Sequence, residues 1–192
     1  MADIIGVVLE GNDVATLAVS VVALPALLFV ANLLIERRPF FGRPFWALID
    51  SAVHGLVALL VTAPIIHSAL STQQRLALLG LAFLAGTLVD VDHFLAARSR
   101  SFWTATHLEK RPPTHSVTSA LLLGAAGFLL CRSLSTAWVV FAGRAPHVLR
   151  GASVGTAPVA WPLGHWRIPR WAYYVGEVGL VMASRWVARW CF

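Results

Sequence analysis

Charge and cysteine are what this 192-residue sequence has least of. Charged residues make up 12% of it and hydrophobic residues 58%, with a mean hydropathy of +0.73; an average soluble domain carries about 25% charged residues. That composition excludes an ordinary soluble fold, and the chain reads as a single integral-membrane domain over residues 1–192. The two cysteines, Cys131 and Cys191, are far apart and form no CxxC unit, which argues against a zinc–thiolate centre. Lys and Arg are missing ahead of the first apolar run, where Asp3, Glu10 and Asp13 stand instead. A cleaved signal peptide wants a basic leading segment, so the first run is expected to be a retained span. Internal repeats and low-complexity tracts are also absent. The net charge of +6 falls mostly in short connections between apolar runs, the distribution that the positive-inside rule produces. A nucleic-acid partner is therefore not needed to explain it, and direct nucleic-acid binding is not expected.

What is there is an all-α pattern, a polytopic membrane bundle of five to six helices with a polar site at one membrane face. Residues 14–35 are uncharged and long enough for a helix that needs about 20 residues to cross the hydrocarbon core; Pro25 is expected to kink it. Further spans are expected over residues 45–66, 76–95 and 115–131, and a fifth helix over 134–149, kinked near Pro146. Residues 151–170, rich in Gly, Pro and Trp, read as a loop along the membrane interface. Residues 171–190 are either a sixth span or an interfacial helix anchored by Trp171, Tyr173, Tyr174, Trp186 and Trp190. Arg37, Arg38 and Arg43 face Glu36 alone in the first loop, and Arg98, Arg100, Lys110 and Arg111 face Glu109 alone in the third. Both loops are thereby expected in the cytoplasm, in a multi-pass protein of the cell (inner, cytoplasmic) membrane.

Against this apolar background, Gly86-Thr-Leu-Val-Asp90-Val-Asp92-His93 closes the third span with two carboxylates and an imidazole. Acids are electrostatically misplaced at a helix C-terminus, and charges at the edge of an apolar helix need pairing, hydration or a cation. Helices joined by short loops alternate in direction. The start of span two (Asp50, His54), the end of span three (Asp90, Asp92, His93), the start of span four (Thr114, His115, Ser116) and the end of span five (His147) therefore share one face. Asp50 and His54 are four apart and Asp90 and His93 three apart, so each pair stacks on one helical face. His54 should lie on the order of 13 Å below the start of its span, a depth that a cavity opening to the cytoplasm could reach.

Asp oxygens and His nitrogens without cysteine suit zinc, or else manganese or iron, in an open site that keeps a water. Such a cation lowers the pKa of that water and polarises an ester or phosphoryl oxygen. His54, Asp90, Asp92, His93, His115 and His147 are the candidate ligands, enough for one or two ions, and Asp90, Asp92 and His115 the candidate catalytic groups. Asp50 is placed to orient His54, Arg111 to meet an anionic substrate group, and Thr114 to cap its helix. His67, His107 and His165 sit in connections and are left unassigned.

Asp50-Ser-Ala-Val-His54, Leu88-Val-Asp90-Val-Asp92-His93, Arg111-Pro-Pro-Thr114-His115-Ser116, and His147 followed by Ala157-Pro-Val-Ala-Trp161-Pro162 resemble the ordered motifs of the YdjM-type membrane-bound metal-dependent hydrolases. The resemblance spans about residues 46–165. Some members of that family are described as LexA-binding inner-membrane proteins, so it implies a metal-dependent hydrolase in the membrane and leaves room for a regulatory protein partner. Two departures stand out. The family has an Asp four residues after the histidine matching His147, where this chain has Gly151 beside Arg150; and Pro-Pro precedes Thr114 in place of Arg-Gly. A missing carboxylate implies one metal fewer, altered chemistry or an inactive member.

Two function classes remain. One is a hydrolase acting on a phosphoester or carboxylic ester, a lipid among the candidates. The other is a non-enzymatic membrane protein with a structural metal or a docked partner. A transporter is weaker, because ionisable residues near one face make no path across.

Overall fold

The computed structural model describes residues 11–37, 43–66, 71–106, 108, 111–155, 158, 160–164 and 166–191. Among these the chain is an all-α bundle of six long helices, α1 (Gly11–Arg37), α2 (Arg43–Thr62), α3 (Thr72–Thr87), α6 (Val117–Cys131), α7 (Leu134–Val154) and α8 (Arg170–Cys191), with short helices α4 (Asp92–Ala96) and α5 (Phe102–Thr106) in the connection after α3. Three stretches, Ala15–Leu34, Phe45–Ile65 and Thr72–Ala96, are long and apolar enough to cross a membrane. Their outward residues include Phe29, Leu48 and Leu76, and the bundle's outer surface elsewhere exposes Leu122 and Leu130. The interior, in turn, holds Ser20, His54, His115, Arg144, His147, Glu177 and Ser184. A polar inside and an apolar outside suit a lipid solvent.

Local signals shift several expected boundaries. Ser71 and Gln74 form a reciprocal capping box, so α3 begins at Thr72 rather than 76 and recruits polar link residues into its first turn. The same helix stops at Thr87. A 3-10 turn, Leu88–Val91, and then α4 carry the acidic motif, so Asp92 opens a short helix instead of closing a long one, which suits an acid. Ser116, not Thr114, caps α6 by accepting from the Ser119 amide at 3.1 Å, and His115 lies in the preceding 3-10 turn Pro113–His115. α7 continues past 149 to Val154, where Gly155 ends it at φ 83°, a conformation that favours glycine; residues 151–154 thus belong to a helix and not to the loop. Both α1 and α7 continue through their prolines, Pro25 and Pro146. His67, His107 and His165 lie outside the described residues.

α7 is central, packing on α2, α3, α6 and α8. Small residues bring the helices close. A Cβ on Gly143 would sit 3.1 Å from the Ala82 carbonyl oxygen of α3, the kind of approach that membrane helices use in place of a hydrophobic driving force. α8 runs lengthwise beside α7. Its Tyr173 joins Leu24, Leu28 and Val57, whereas Val187 and Ala188 join Ile65, Leu78 and Val139 at the other end. Over 22 residues that is a rise of about 33 Å. Trp171 near its start and Trp186 and Trp190 near its end point outward, as interfacial aromatic belts do.

One turn after Tyr173 on the buried face of α8, Glu177 is 0% exposed and neither carboxylate oxygen makes a hydrogen bond. An unsatisfied buried polar group costs about 1–3 kcal/mol. Glu177→Leu, of similar volume, is therefore expected to raise the unfolding temperature in detergent by several degrees, checked by thermal denaturation. A lowered value would mean that the carboxyl group has a stabilising partner.

Candidate metal centre

Five elements deliver the polar residues to one end of the bundle. α2 brings Asp50, Ser51 and His54; the 3-10 turn and α4 bring Asp90, Asp92 and His93; the turn before α6 brings His115; and α7 brings Arg144, His147 and Arg150. His115, 0% exposed, lies between two other rings, with His93 stacked at 4.7 Å between centroids and His147 edge-on at 4.7 Å. His54 follows, 4.2 Å from His147. The shared face expected from helix parity is thus present, and all six candidate ligands belong to one contiguous cluster.

Within it the atoms sort into two overlapping triads that share His115, namely Asp90 with His115 and His147, and Asp92 with His93 and His115. Asp90 Oδ1 lies 3.6 Å from His115 Nε2 and 3.5 Å from His147 Nε2. Zinc–nitrogen bonds of about 2.0–2.1 Å in tetrahedral geometry put neighbouring ligand atoms about 3.3 Å apart, so the two edges from Asp90 are close to that spacing, and all three ligand atoms lie within 4.8 Å of one another. On the other edge of the same ring, His115 Nδ1 is 3.2 Å from Asp92 Oδ2. A neutral imidazole offers one lone pair and one N–H. If Nδ1–H turns to Asp92, Nε2 is left as the ligand atom, the usual arrangement of a carboxylate behind a metal-binding histidine. His115 Nδ1 and Nε2, both Asp92 oxygens, His93 Nε2 and His147 Nδ1 are buried without a hydrogen bond. Buried polar atoms are nearly always satisfied; of these, His115 Nε2 faces the Asp90 triad, whereas His115 Nδ1, the Asp92 oxygens and His93 Nε2 lie on the Asp92 triad.

Asp50 and His54 form the expected i,i+4 pair at 3.6 Å, but neither belongs to a triad. Arg150 donates to Asp50 and places Nη1 3.3 Å from His54 Nε2. A guanidinium thus stands beside the second potential ligand group, next to Gly151. Arg111 Nη1 lies 2.9 Å from His147 Nε2, so a cation on His147 requires that contact to be released. Burial lowers the affinity of the Arg111 guanidinium for its proton, and the Asp90 and Asp92 carboxylates oppose that effect. Thr114 contributes its carbonyl, which accepts from Arg144 Nη2 at 2.9 Å and from Ser119. Ser116 is fully buried as the α6 cap.

Some participants escape a motif reading. Ser51 donates to Asp90 and Arg144 braces the turn holding His115. Arg144, His147 and Gly151 follow at i, i+3 and i+7, a single helical face, and that periodicity is the signal by which Arg144 could have been found. Nothing local marks Ser51.

No family model and no solved structure match the chain. It is 28% identical over 159 residues to Transmembrane protein 267 of Xenopus laevis, an alignment that covers 77% of this chain and 71% of that protein. With three helices apolar enough to cross a bilayer and similarity to a relative named for its transmembrane character, the chain is a membrane protein built on transmembrane helices.

Proposed function

We propose that this protein is a membrane-bound metal-dependent hydrolase of the YdjM type, acting on a phosphoester or ester at the membrane surface. The observation that carries the reading is the convergence of Asp90 Oδ1, His115 Nε2 and His147 Nε2 from three separate elements, with both nitrogens within 3.6 Å of the Asp90 oxygen. These three residues would hold one divalent cation, zinc before manganese or iron, with a position left for water or substrate. A cation held there would supply polarisation of a substrate oxygen and a water that is nucleophilic at neutral pH. Asp92 keeps the His115 ring oriented, and Arg111 meets negative charge on the substrate. Arg150 replaces a second cation at Asp50 and His54, which supports a single-metal site. The connections flanking the site carry Arg37, Arg38, Arg43, Arg98, Arg100, Lys110 and Arg111, so the positive-inside rule favours the cytoplasmic face of the cell membrane for the site.

Protein purified in detergent without chelators is expected to hold about one divalent ion per chain, and Asp90→Ala to hold little, as read by elemental analysis. If wild type and variant hold equally little, the metal reading fails. Hydrolysis of phosphoester and ester lipids by the loaded protein would support catalysis. Metal without turnover would favour a non-enzymatic membrane protein with a structural ion or a regulatory partner, and Gly151→Asp then tests whether the missing carboxylate is responsible.

A further inference from the structure

Two cations have a claim on one nitrogen of His147. A neutral imidazole carries a single lone pair, and a guanidinium only donates, so the contact of 2.9 Å between Arg111 Nη1 and His147 Nε2 makes Nε2 the accepting atom. That is the atom with which His147 would ligate an ion beside Asp90 and His115. The other ring nitrogen, Nδ1, is buried without a hydrogen bond. Arg150 stands in the same cluster with Nη1 3.3 Å from His54 Nε2, but it also donates to the Asp50 carboxylate. Arg111 is held differently. Its hydrogen bond among the described residues is to the His147 ring, and Asp90 and Asp92 act on it through space. The Arg111 side chain also lines a cavity of about 420 Å³ that His147 lines too, so room for a second position of the guanidinium adjoins the first.

Resting on the metal site proposed for Asp90, His115 and His147, we infer that Arg111 gates that site. Its guanidinium holds the His147 lone pair until a divalent cation displaces it, and the displaced group turns into the adjoining cavity, where it can meet the substrate. The two occupants exclude each other. Zinc takes a ring nitrogen's lone pair at about 2.0–2.1 Å, and a donor already using that lone pair cannot share it. Repulsion between a guanidinium and a divalent ion is also strong where little water screens it. The gate therefore sets an order, cation first and anionic substrate second. It sets a preference as well, because an ion must offer the ring nitrogen more than a charge-assisted hydrogen bond does. Zinc binds imidazole well, whereas magnesium takes oxygen ligands and gives up its water reluctantly.

Two measurements on detergent-purified, metal-stripped protein test the gate. Competitive zinc titration compares wild type with Arg111→Met, which keeps a long side chain and removes the donor. The substitution is expected to strengthen zinc binding by about 10- to 100-fold, the worth of a hydrogen bond to a charged group. The second measurement needs no substitution at Arg111. Wild-type protein is treated with phenylglyoxal, a reagent for guanidinium groups, and modification of Arg111 is followed by peptide mass spectrometry. Zinc is expected to speed that modification several-fold by turning Arg111 into the cavity, and magnesium to leave it unchanged. Asp90→Ala, which takes up little zinc, should show no acceleration. Zinc affinity unchanged or lowered in folded Arg111→Met, or Arg111 reactivity that zinc does not alter in a wild-type protein that binds it, overturns the inference and leaves the metal reading intact. Failure of wild type and Arg111→Met alike to bind zinc sinks the metal reading itself.

Discussion

His115→Ala is expected to lower the affinity for the divalent ion several-hundredfold, enough to leave the purified protein without metal. Structural zinc sites with four ligands bind with about 10–16 kcal/mol, so one ligand accounts for roughly 3–4 kcal/mol. His115 is also the residue on which both triads depend. Asp92→Asn should behave differently. Its carboxylate faces Nδ1, not the Nε2 side of the ring, and loss of such an orienting partner costs about 10- to 100-fold. Competitive zinc titration of the two variants against wild type separates the roles. If Asp92→Asn and His93→Ala each match His115→Ala while His147→Ala binds normally, the ion belongs between Asp92, His93 and His115 Nδ1, and the Asp90 triad is not its site. Affinity in every variant that retains metal should fall as pH is lowered, because imidazole must be neutral to ligate.

The helical membrane character and the shared polar face were legible because both follow from coarse regularities. Long uncharged runs specify spans, and alternation of direction brings Asp50, Asp90, His115 and His147 to one end whatever the details of packing. The site's internal division was not legible. The i,i+4 spacing of Asp50 and His54 is the same whether they bind a cation or an arginine. Only the packing of α7 on α2 shows that Arg150 reaches Asp50, a pairing 100 residues apart in sequence. Likewise the acidic motif read as the tail of a long helix, because hydrophobicity continues to Ala96. The helix nonetheless gives way to a 3-10 turn after Thr87, whose hydroxyl bonds back to the Phe83 carbonyl at 2.9 Å. The choice between a crossing and an interfacial last helix was open for a similar reason. Glu177 and Arg185 argue against a span by composition, and the buried stripe Tyr173, Glu177, Val181, Ser184 and Ala188 reveals a helix that faces protein along its length.

Gly86→Val should be the most disruptive substitution outside the ligand set, since it acts on the separation of the two helices that frame the site. A Cβ at Gly86 would lie 2.7 Å from the His54 carbonyl oxygen and 2.9 Å from Ala58 Cβ. Neither can swing away, because one is helix backbone and the other is fixed to it. α3 must therefore move off α2 at the level of His54, drawing Asp90 from Ser51 and from His115. Overpacking costs about 1–3 kcal/mol, occasionally more, and a site held within a few tenths of an ångström loses its metal with a displacement of that kind. Gly80 on the same helix is the control, because a Cβ there meets nothing within 4 Å. Gly80→Ala should instead stabilise by about 0.5–1 kcal/mol through reduced chain entropy. Thermal unfolding in detergent together with metal content tests both signs. A Gly86→Val protein that unfolds like wild type and retains its ion would show that α2 and α3 do not approach this closely, and the geometry assigned to His54 and Asp90 would fall with it.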